Sequence, residues 1–446
     1  MPLHFRITAS LILGATLGLC AYFFKEHLPF LEYLGPWIAV PTGQLFLRLL
    51  FMMVIPLVST ALISSTAGMA RSKNMKKIAV KALFLALSLA FCAAVISLFM
   101  VNTIKPGVNI EYIVQSSSSQ SPIQELPQEE TSIDSSCSTK TVIAPTPWTQ
   151  KIVEVIPKNP FEAFSVAHDP AKGGSILSVI IFSILIGLTL AHCPKETSKP
   201  FLDLVNSVLD LSRRYLAKLM QYAPIAVTAL VFQNTQQFGP HLFSLLFWYM
   251  IAVLLGLLLQ VIVVYGLTLK MLTNTSITQF LSKSRLITLT AFSTSSSSAT
   301  LPIAIDVAQK KFNVPKDLAR FVLTLGASMN QNGSALYEGV TILFLAQLYQ
   351  VDLLFSQQLI VLGMTMIASL GTAGVPGGTL PLMMSVCTMV GICPDGVILI
   401  LGVERLLDMS RTVVNSLGDL VIALAIEPKK ESIDTENGAP LPDTLH

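Results

Sequence analysis

The sequence predicts an all-α integral membrane protein, on the basis of its composition, its long uncharged runs and its interrupted apolar segments. Of the 446 residues, 52% are hydrophobic and only 12% are charged, and the mean hydropathy is +0.66. A soluble globular chain carries about 25% charged residues, so this chain has too few charges to cover a water-facing surface. The net charge of +3 is too small for the basic surface of a nucleic-acid-binding protein.

Six long runs without charged side chains are candidate membrane spans, because a bilayer core needs about 20 apolar residues in a helix. They cover residues 7–24, 49–70, 82–104, 173–191, 219–232 and 242–269. The first run has a short N-terminal flank and bulky residues at its end, so we expect an anchor rather than a cleaved signal peptide. The sixth run is long enough that it must tilt or extend beyond the core.

Lysine and arginine residues predict the orientation. They follow the second, fourth and sixth runs, whereas the segment between the fifth and sixth runs has none. These basic residues are Arg71, Lys73, Lys76, Lys77, Lys195, Lys199, Arg213, Arg214, Lys283 and Arg285. The positive-inside rule then places both termini in the cytoplasm, and we expect the cell (inner) membrane. Residues 107–160 would lie outside, and their polar, acidic composition predicts a disordered loop, with a regulatory or binding role as the alternative.

Two apolar segments in the second half of the chain are interrupted in the middle. Residues 286–305 contain FSTSSSSATLP and residues 359–390 contain SLGTAGVPGGTLP, and Ala299–Pro302 and Gly378–Pro381 agree at three of four positions. Unpaired backbone is not tolerated in hydrocarbon, so such breaks must be buried in protein or line a watery cavity. We therefore predict two re-entrant helical hairpins, and interrupted segments in two halves of a chain indicate a transporter's binding site.

Between these segments, residues 321–351 are apolar at both ends and carry GASMNQNGSALYEG at the centre. Asn330, Gln331 and Asn332 would be costly on a lipid-facing helix, and Gly333 predicts an unwound stretch whose free carbonyl groups could hold a cation. The alternative is a loop that joins two short helices.

The last apolar run, residues 397–426, contains a stripe of polar and ionisable residues within an arc of roughly 100°. The stripe consists of Glu404, Asp408, Arg411, Thr412, Asn415 and Asp419. Ionisable groups inside a membrane are expensive and usually mark a substrate or ion path. The alternative is an internal salt bridge, since Asp408 and Arg411 are spaced i,i+3.

Two other classes of function remain as alternatives to a carrier. A channel would also use polar helices, but it needs a continuous pore rather than one dense charged stripe with a gate. A membrane enzyme would use Ser297 as its nucleophile, but none of the six histidines lies near the predicted hairpins in sequence, so this serine would lack its usual base. The six cysteines show no metal-binding spacing, and we expect no bound cofactor.

Five stretches carry a resemblance to a known family: VIPKNPFEAF, SSSSATLP, NQNGSALY, GTAGVPGG and LDMSRTVVNSLGDL, in this order. The chain resembles the dicarboxylate/amino acid:cation symporters, which include the glutamate transporters. The resemblance implies eight transmembrane helices plus two re-entrant helical hairpins, inverted repeats, a homotrimer and an elevator-type cycle. It also implies a transporter rather than an enzyme, which imports an acidic amino acid with sodium ions, protons or both. A C4-dicarboxylate or a neutral amino acid is the alternative substrate.

The resemblance also implies a division of the chain. Residues 1–106 would hold scaffold helices 1–2 and transport helix 3, and residues 161–272 would hold helices 4–6. Residues 273–427 would form the transport core, and residues 428–446 a cytoplasmic tail.

The same resemblance implies a role for each substrate-site residue. Arg411 would hold the side-chain carboxylate of the substrate, because its planar fork suits a bidentate grip. Asp408 would receive the amino group, and Thr412 and Asn415 would lie on the same face, with Asn415 on the main-chain carboxylate. The remaining substrate residues are Ser296, Ser297 and Ser298 at the first hairpin tip, Ser334, and Gly374, Val375, Pro376 and Gly377 at the second tip, the expected gate.

Sodium sites follow from the resemblance in the same way. One would use Gly326, Asn330, Asn415 and Asp419, and a second would use Ser328, Ser369 and Thr372. Hard oxygen ligands of this kind suit such a cation.

The chain departs from the family pattern mainly around a third sodium site. Asn332 stands where the family has an acid, and Ala82, Leu85 and Ala86 stand where it has a tyrosine and a threonine–serine pair. We therefore predict that this site is lost, because apolar groups cannot replace the hydration of an ion. The protonatable alternatives are Glu338 and Glu404, and two smaller departures are Ser295 in place of an arginine and Thr379 in place of a glycine.

Overall fold

A computed structural model describes residues 3–24, 35–71, 76–107, 156–166, 176–273, 275–370, 379–392 and 396–426. The regular structure in these ranges is helical, without a strand. Three regions with predictions fall outside them: most of the polar loop (residues 108–155), the second hairpin tip (residues 371–378) and the tail from residue 427.

The first half of the chain forms mostly long helices, most of which are apolar. They are α1 (Leu3–Phe23), a π-helical turn (Gly35–Ala39) that continues as α2 (Val40–Met52), α3 (Val54–Arg71), α4 (Lys76–Ile104), α5 (Pro160–Val166), α6 (Ile176–His192), α7 (Lys195–Leu219), α8 (Ala223–Phe238) and α9 (His241–Leu259), which continues through a π-helical turn (Gln260–Tyr265) into α10 (Gly266–Leu272).

The second half consists of shorter helices and one long one. They are α11 (Ile277–Lys283), α12 (Arg285–Thr294), α13 (Ser297–Phe312), α14 (Lys316–Met329), α15 (Asn332–Leu348), α16 (Phe355–Leu370), α17 (Leu380–Met389) and α18 (Val397–Ile426).

Within the described ranges, four helical stretches are long and apolar enough to cross a membrane: Gly35–Gly68, Lys77–Ile104, Phe243–Leu272 and Leu399–Ile426. A fifth is present if α7 and α8, which meet at 60°, form one bent span. The third, sixth and last predicted runs each correspond to one of these continuous helical stretches. The total of eight spans stays a prediction.

The second predicted run begins too late. Helix is present from residue 35, and the break falls at Met53 inside the run. Pro56 explains the break, because its ring clashes with the carbonyl group four residues earlier, that of Met52.

The helices form two groups. In the first, α1 packs along α8, and α3 packs along α6 and α7. In the second, α15 and α18 pack against each other, and α4, α9, α12, α13 and α14 surround them. Sixteen of the seventeen residues of α15 are buried, so this helix lies in the interior of the second group. The second group therefore encloses the polar residues of α15 and α18 in a protein interior.

Candidate functional site

The candidate site begins at a break between two helices. α14 ends at Met329 and α15 begins at Asn332, with Asn330 and Gln331 outside helical geometry at φ/ψ of −99°/89° and −116°/50°. Both helices pack against α18, so the break lies beside the polar stripe. The predicted unwound stretch is present, although it lies two residues before Gly333 rather than at it.

Gly333 does not unwind the helix; it allows α15 to approach α18 closely. A Cβ at this position would lie 2.5 Å from the carbonyl oxygen of Arg411 and 3.1 Å from Oδ1 of Asn415. The backbone N–H of Gly333 donates to that same Asn415 oxygen at 2.7 Å. The missing side chain therefore allows a direct bond between the two helices.

We expect Gly333→Ala to destabilise the protein by about 1–3 kcal/mol, the usual cost of forcing atoms into a packed interior. The measurement is the thermal unfolding temperature of the purified protein in detergent. Gly363→Ala in α16 is the matched control, because a Cβ there meets no atom within 4 Å and alanine favours the helix. Equal unfolding temperatures for the two variants would contradict the close-approach explanation.

Three charged residues of α18 form the ion triad, which consists of Arg405, Asp408 and Arg411. Nε and Nη2 of Arg411 donate to Oδ1 of Asp408 at 3.0 and 2.6 Å. Nη1 of Arg405 donates to the other oxygen, Oδ2, at 3.1 Å. All three side chains are buried. The internal salt bridge that the sequence analysis gave as the alternative therefore forms, with a second arginine that the stripe did not include.

Three uncharged residues continue from the triad as the amide cluster, which consists of Gln331, Ser334 and Asn415. Nη1 of Arg411 donates to Oγ of Ser334 at 2.9 Å, and Ser334 in turn donates to Oε1 of Gln331 at 3.3 Å. Nδ2 of Asn415 donates to the same Gln331 oxygen at 2.6 Å and to Ser334 at 3.2 Å. The helix break and the polar face of α18 are thus joined by one hydrogen-bonded network.

Two further side chains complete the surroundings of Arg411. Its guanidinium group lies 5.5 Å from the centre of the Tyr337 ring, a distance at which a cation is attracted to an aromatic face. The hydroxyl of Thr412 donates to the carbonyl oxygen of Asp408 at 2.7 Å, which leaves its oxygen lone pairs as acceptors.

The residues predicted for the first sodium site are close together. Nδ2 of Asn330 donates to Oδ1 of Asp419 at 2.8 Å and reaches the carbonyl oxygen of Asn415 at 3.5 Å. Gly326 faces the same carboxylate, since a Cβ there would lie 2.5 Å from Oδ1 of Asp419. The buried cluster supplies one carboxylate and several neutral oxygens, a donor set that suits a hard cation.

The residues at the predicted position of the third sodium site do not all line one cavity. Ala82, Ala86 and Asn330 line a cavity of about 10 Å³, together with Leu83, Val322, Leu325, Gly326, Met329 and Ile422. Asn332 is absent from this lining and instead donates to the hydroxyl of Tyr265 at 3.3 Å. The cavity is about the size that holds a single water molecule, and apart from Asn330 its side chains are apolar.

The serines of the predicted first hairpin lie at the junction of α12 and α13, which pack against each other and against α18. Ser295 ends α12 in the left-handed region at φ 51°, and Ser296 begins α13 by accepting from the N–H of Ala299. The hydroxyls of Ser295 and Ser297 are buried without a hydrogen-bond partner among the described residues. Buried donors of this kind need a partner.

The second predicted sodium site is only partly described. Ser328 and Ser369 each donate to a backbone carbonyl of their own helix, whereas Thr372 lies outside the described residues. The predicted gate residues Gly374, Val375, Pro376 and Gly377 also lie outside them.

A cavity of about 760 Å³ is lined by residues of α3, α7, α13 and α14. Ser298 and Ser328 line it, together with charged residues that include Arg213 and Arg320. These two predicted site residues therefore face a wide opening rather than the amide cluster.

Two buried acids lie close to the network on α15 and α18. In the described part of the chain, both carboxylate oxygens of Glu338 lack a hydrogen-bond partner, and so does Oε1 of Glu404. Both side chains are buried, so each is available to carry a proton.

Sequence reasoning missed three members of this arrangement as site residues. Gln331 had a signal, because it lies within NQNGS, but only its hydrogen bond to Asn415 reveals what it holds. Arg405 follows Glu404 of the stripe in sequence, and its side chain donates to Asp408, another member of the stripe. Tyr265 gave no signal; it lies in an apolar run and donates to the carbonyl oxygen of Val414 at 3.0 Å.

Comparison with known proteins shows the family of this chain. The model of the sodium:dicarboxylate symporter family matches residues 3–428. The chain is 30% identical to the proton/sodium-glutamate symport protein of Bacillus caldotenax, over 98% of this chain and 96% of that protein. It is 30% identical to the proton/glutamate-aspartate symporter of Bacillus subtilis, over 95% and 93%. It is 28% identical to human excitatory amino acid transporter 3, over 92% and 82%. With a match over nearly its whole length, the chain belongs to the sodium:dicarboxylate symporter family.

Proposed function

We propose that the protein is a secondary active symporter that imports an acidic amino acid, glutamate or aspartate, with sodium ions, protons or both. The observation that carries the proposal is Arg411, a buried arginine on a membrane-spanning helix that is bonded to Asp408 and Ser334. A buried cation with a planar fork recognises a carboxylate. Relatives named as glutamate and aspartate symporters support the substrate class.

The substrate would bind across the triad and the amide cluster. Arg411 has five N–H groups, and its contacts with Asp408 and Ser334 use three of them, which leaves one on each terminal nitrogen for a substrate carboxylate. Asp408 would accept the amino group, and Asn415 would turn its amide towards the second carboxylate. Thr412 and the serines of the first hairpin would supply the remaining polar contacts.

Sodium would be carried with the substrate near Asp419, Asn330 and Gly326. The hydrogen bond from Asn330 to Asp419 keeps the two side chains together, and Asn415 belongs to both this cluster and the substrate network. Binding of the ion and of the substrate would thus share one residue, which is a direct route for coupling.

The finer architecture belongs to the same proposal. The packing of α12 on α13 and of α16 on α17 supports two re-entrant hairpins. The two helix groups support a scaffold that includes the first two predicted spans, and a moving core, in an elevator-type cycle. We further propose eight spans, a homotrimer, an inner-membrane location and cytoplasmic termini. Residues 107–160 would be the external loop and residues 428–446 the tail.

The function is tested with purified protein in proteoliposomes, by measuring uptake of labelled aspartate, glutamate, succinate, serine and alanine. Each solute is offered with an imposed sodium gradient, with a proton gradient and with neither. The proposal requires accumulation of the acidic amino acids under at least one gradient. Passive equilibration without accumulation under any gradient would indicate a channel and refute symport.

Asp408 leads to a specific prediction within this panel. We expect aspartate to inhibit the uptake of labelled glutamate more strongly than succinate does, by roughly tenfold or more, because only aspartate offers an ammonium group to a buried carboxylate. The measurement is the inhibition constant of each competitor. If succinate is the stronger competitor, the amino-acid assignment is wrong.

A further inference from the structure

Arg405 is buried one helical turn before Asp408, and its contact is separate from that of Arg411. Arg411 uses only Oδ1 of Asp408, with both Nε and Nη2. Arg405 uses only Oδ2, through Nη1 at 3.1 Å. Each arginine can therefore leave without disturbing the contact of the other.

This separation matters because Arg411 would have to serve two carboxylates. A substrate carboxylate on the two remaining N–H groups of Arg411 would compete with Asp408 for the same cation, while Asp408 stays in a buried position. A buried charge that loses its partner is strongly destabilising. The second arginine keeps the acid paired during this competition.

We propose that Arg405 is a positioning residue of the substrate site, which holds Asp408 through its second oxygen while Arg411 engages the substrate carboxylate. The inference rests on the proposed function and adds a residue to it. In this proposal Arg405 does not touch the substrate. It determines how much Asp408 needs the ammonium group of the substrate as a partner.

The role has a consequence for selectivity. An amino acid brings an ammonium group that can itself pair with Asp408, so it can partly replace Arg405. A dicarboxylate without an amino group brings no such cation, and it depends on Arg405 to keep Asp408 paired. Removal of Arg405 therefore weakens succinate binding more than aspartate binding.

The rest of the Arg405 side chain is consistent with a residue aimed at Asp408. Its Nε is buried and has no hydrogen-bond partner in the described ranges. Within the same ranges, the adjacent acid Glu404 does not form an ion pair with Arg405. The contact with Oδ2 of Asp408 is thus the only hydrogen bond recorded for this guanidinium group within those ranges.

The test uses the full-length protein in proteoliposomes and compares wild type, Arg405→Gln, Arg405→Lys and Lys310→Gln. The quantity measured is the inhibition constant of succinate divided by the KM of aspartate. Lys310→Gln is the control, since this lysine also pairs with an aspartate on its own helix but is 72% exposed. Thermal unfolding in detergent establishes that each variant is folded.

We expect the ratio to rise by roughly ten- to hundredfold in Arg405→Gln, the range of a hydrogen bond to a charged group. Arg405→Lys, which keeps the charge, should stay near wild type, as should Lys310→Gln. A purely structural role would change both constants by the same factor and leave the ratio unchanged, and that result would overturn the proposal.

Two further outcomes are decisive. The first is that succinate does not inhibit the wild type even at about a thousandfold excess over aspartate. In that case Arg405 does not keep Asp408 paired when the ligand lacks an amino group, and the proposal fails. If Arg405→Gln does not fold, Arg405→Met, which also removes the charge, replaces it: a raised ratio supports the proposal and an unchanged ratio overturns it. Failure of the proposed function is recognised separately, because the wild type would then take up neither aspartate nor glutamate.

Discussion

Arg411→Ala should reduce the uptake of aspartate and glutamate by about a hundredfold or more, because each hydrogen bond from its fork to a charged substrate carboxylate contributes about 1.5–3 kcal/mol and about 1.4 kcal/mol corresponds to a factor of ten. The variant loses the donors to Asp408 and Ser334 together with the fork that would hold the substrate. Serine and alanine, which need no side-chain carboxylate partner, should be admitted instead. The measurement is initial uptake of each labelled amino acid in proteoliposomes.

Arg214→Ala is the matched control, since Arg214 is an exposed arginine on α7. Arg411→Lys separates charge from shape, because an ammonium group keeps the charge but not the planar fork, and it should remain strongly impaired. Size-exclusion profiles in detergent report whether each variant is folded. Wild-type protein that transports serine or alanine but ignores aspartate, glutamate and succinate would contradict the assignment of Arg411.

The second large effect concerns coupling. We expect this protein to couple fewer sodium ions to each substrate than family members with an intact third site. Around the small cavity beside Ala82 and Ala86, the amide of Asn330 is the sole polar side chain, and Asn332 is bonded to Tyr265 instead. One amide oxygen cannot compensate an ion for its lost hydration.

The measurement is the reversal potential of substrate flux in proteoliposomes under varied sodium and pH gradients. Coupling of about three sodium ions per substrate would show that the site survives, contrary to the prediction. If protons on buried acids supply the missing charge movement, Glu338→Gln or Glu404→Gln should remove the dependence of the reversal potential on pH. Wild type measured in the same vesicles is the reference for both variants.

Much of the arrangement follows from residue order along the chain. The last span is predicted as residues 397–426 and α18 has these same bounds, because its apolar run is long and bounded by proline and charge. The breaks near Asn330 and at Ser295 follow from polar residues in apolar surroundings, which have no stable place in hydrocarbon. Helical periodicity alone places Asp408, Arg411 and Asn415 on one face.

Contacts between distant segments could not be predicted in this way. Gln331 and Asn415 are 84 residues apart and share a hydrogen bond, and Gly333 matters because α18 passes within bonding distance of its N–H. The contact of Asn332 with Tyr265 rather than with Ala82 is another contact between distant segments that could not be predicted. Each depends on how two helices are placed against each other, which their separate sequences do not specify.

The sequence by itself therefore determined the class of protein, the helices of the core and the residue types that recognise a carboxylate and a cation, because hydropathy and helical periodicity are local properties. The tertiary structure alone decided how these groups are paired. It assigned the two oxygens of Asp408 to two different arginines and left an almost entirely apolar cavity beside Ala82. The physical reason is that a buried hydrogen bond depends on distances of a few tenths of an ångström, and helix packing sets such distances.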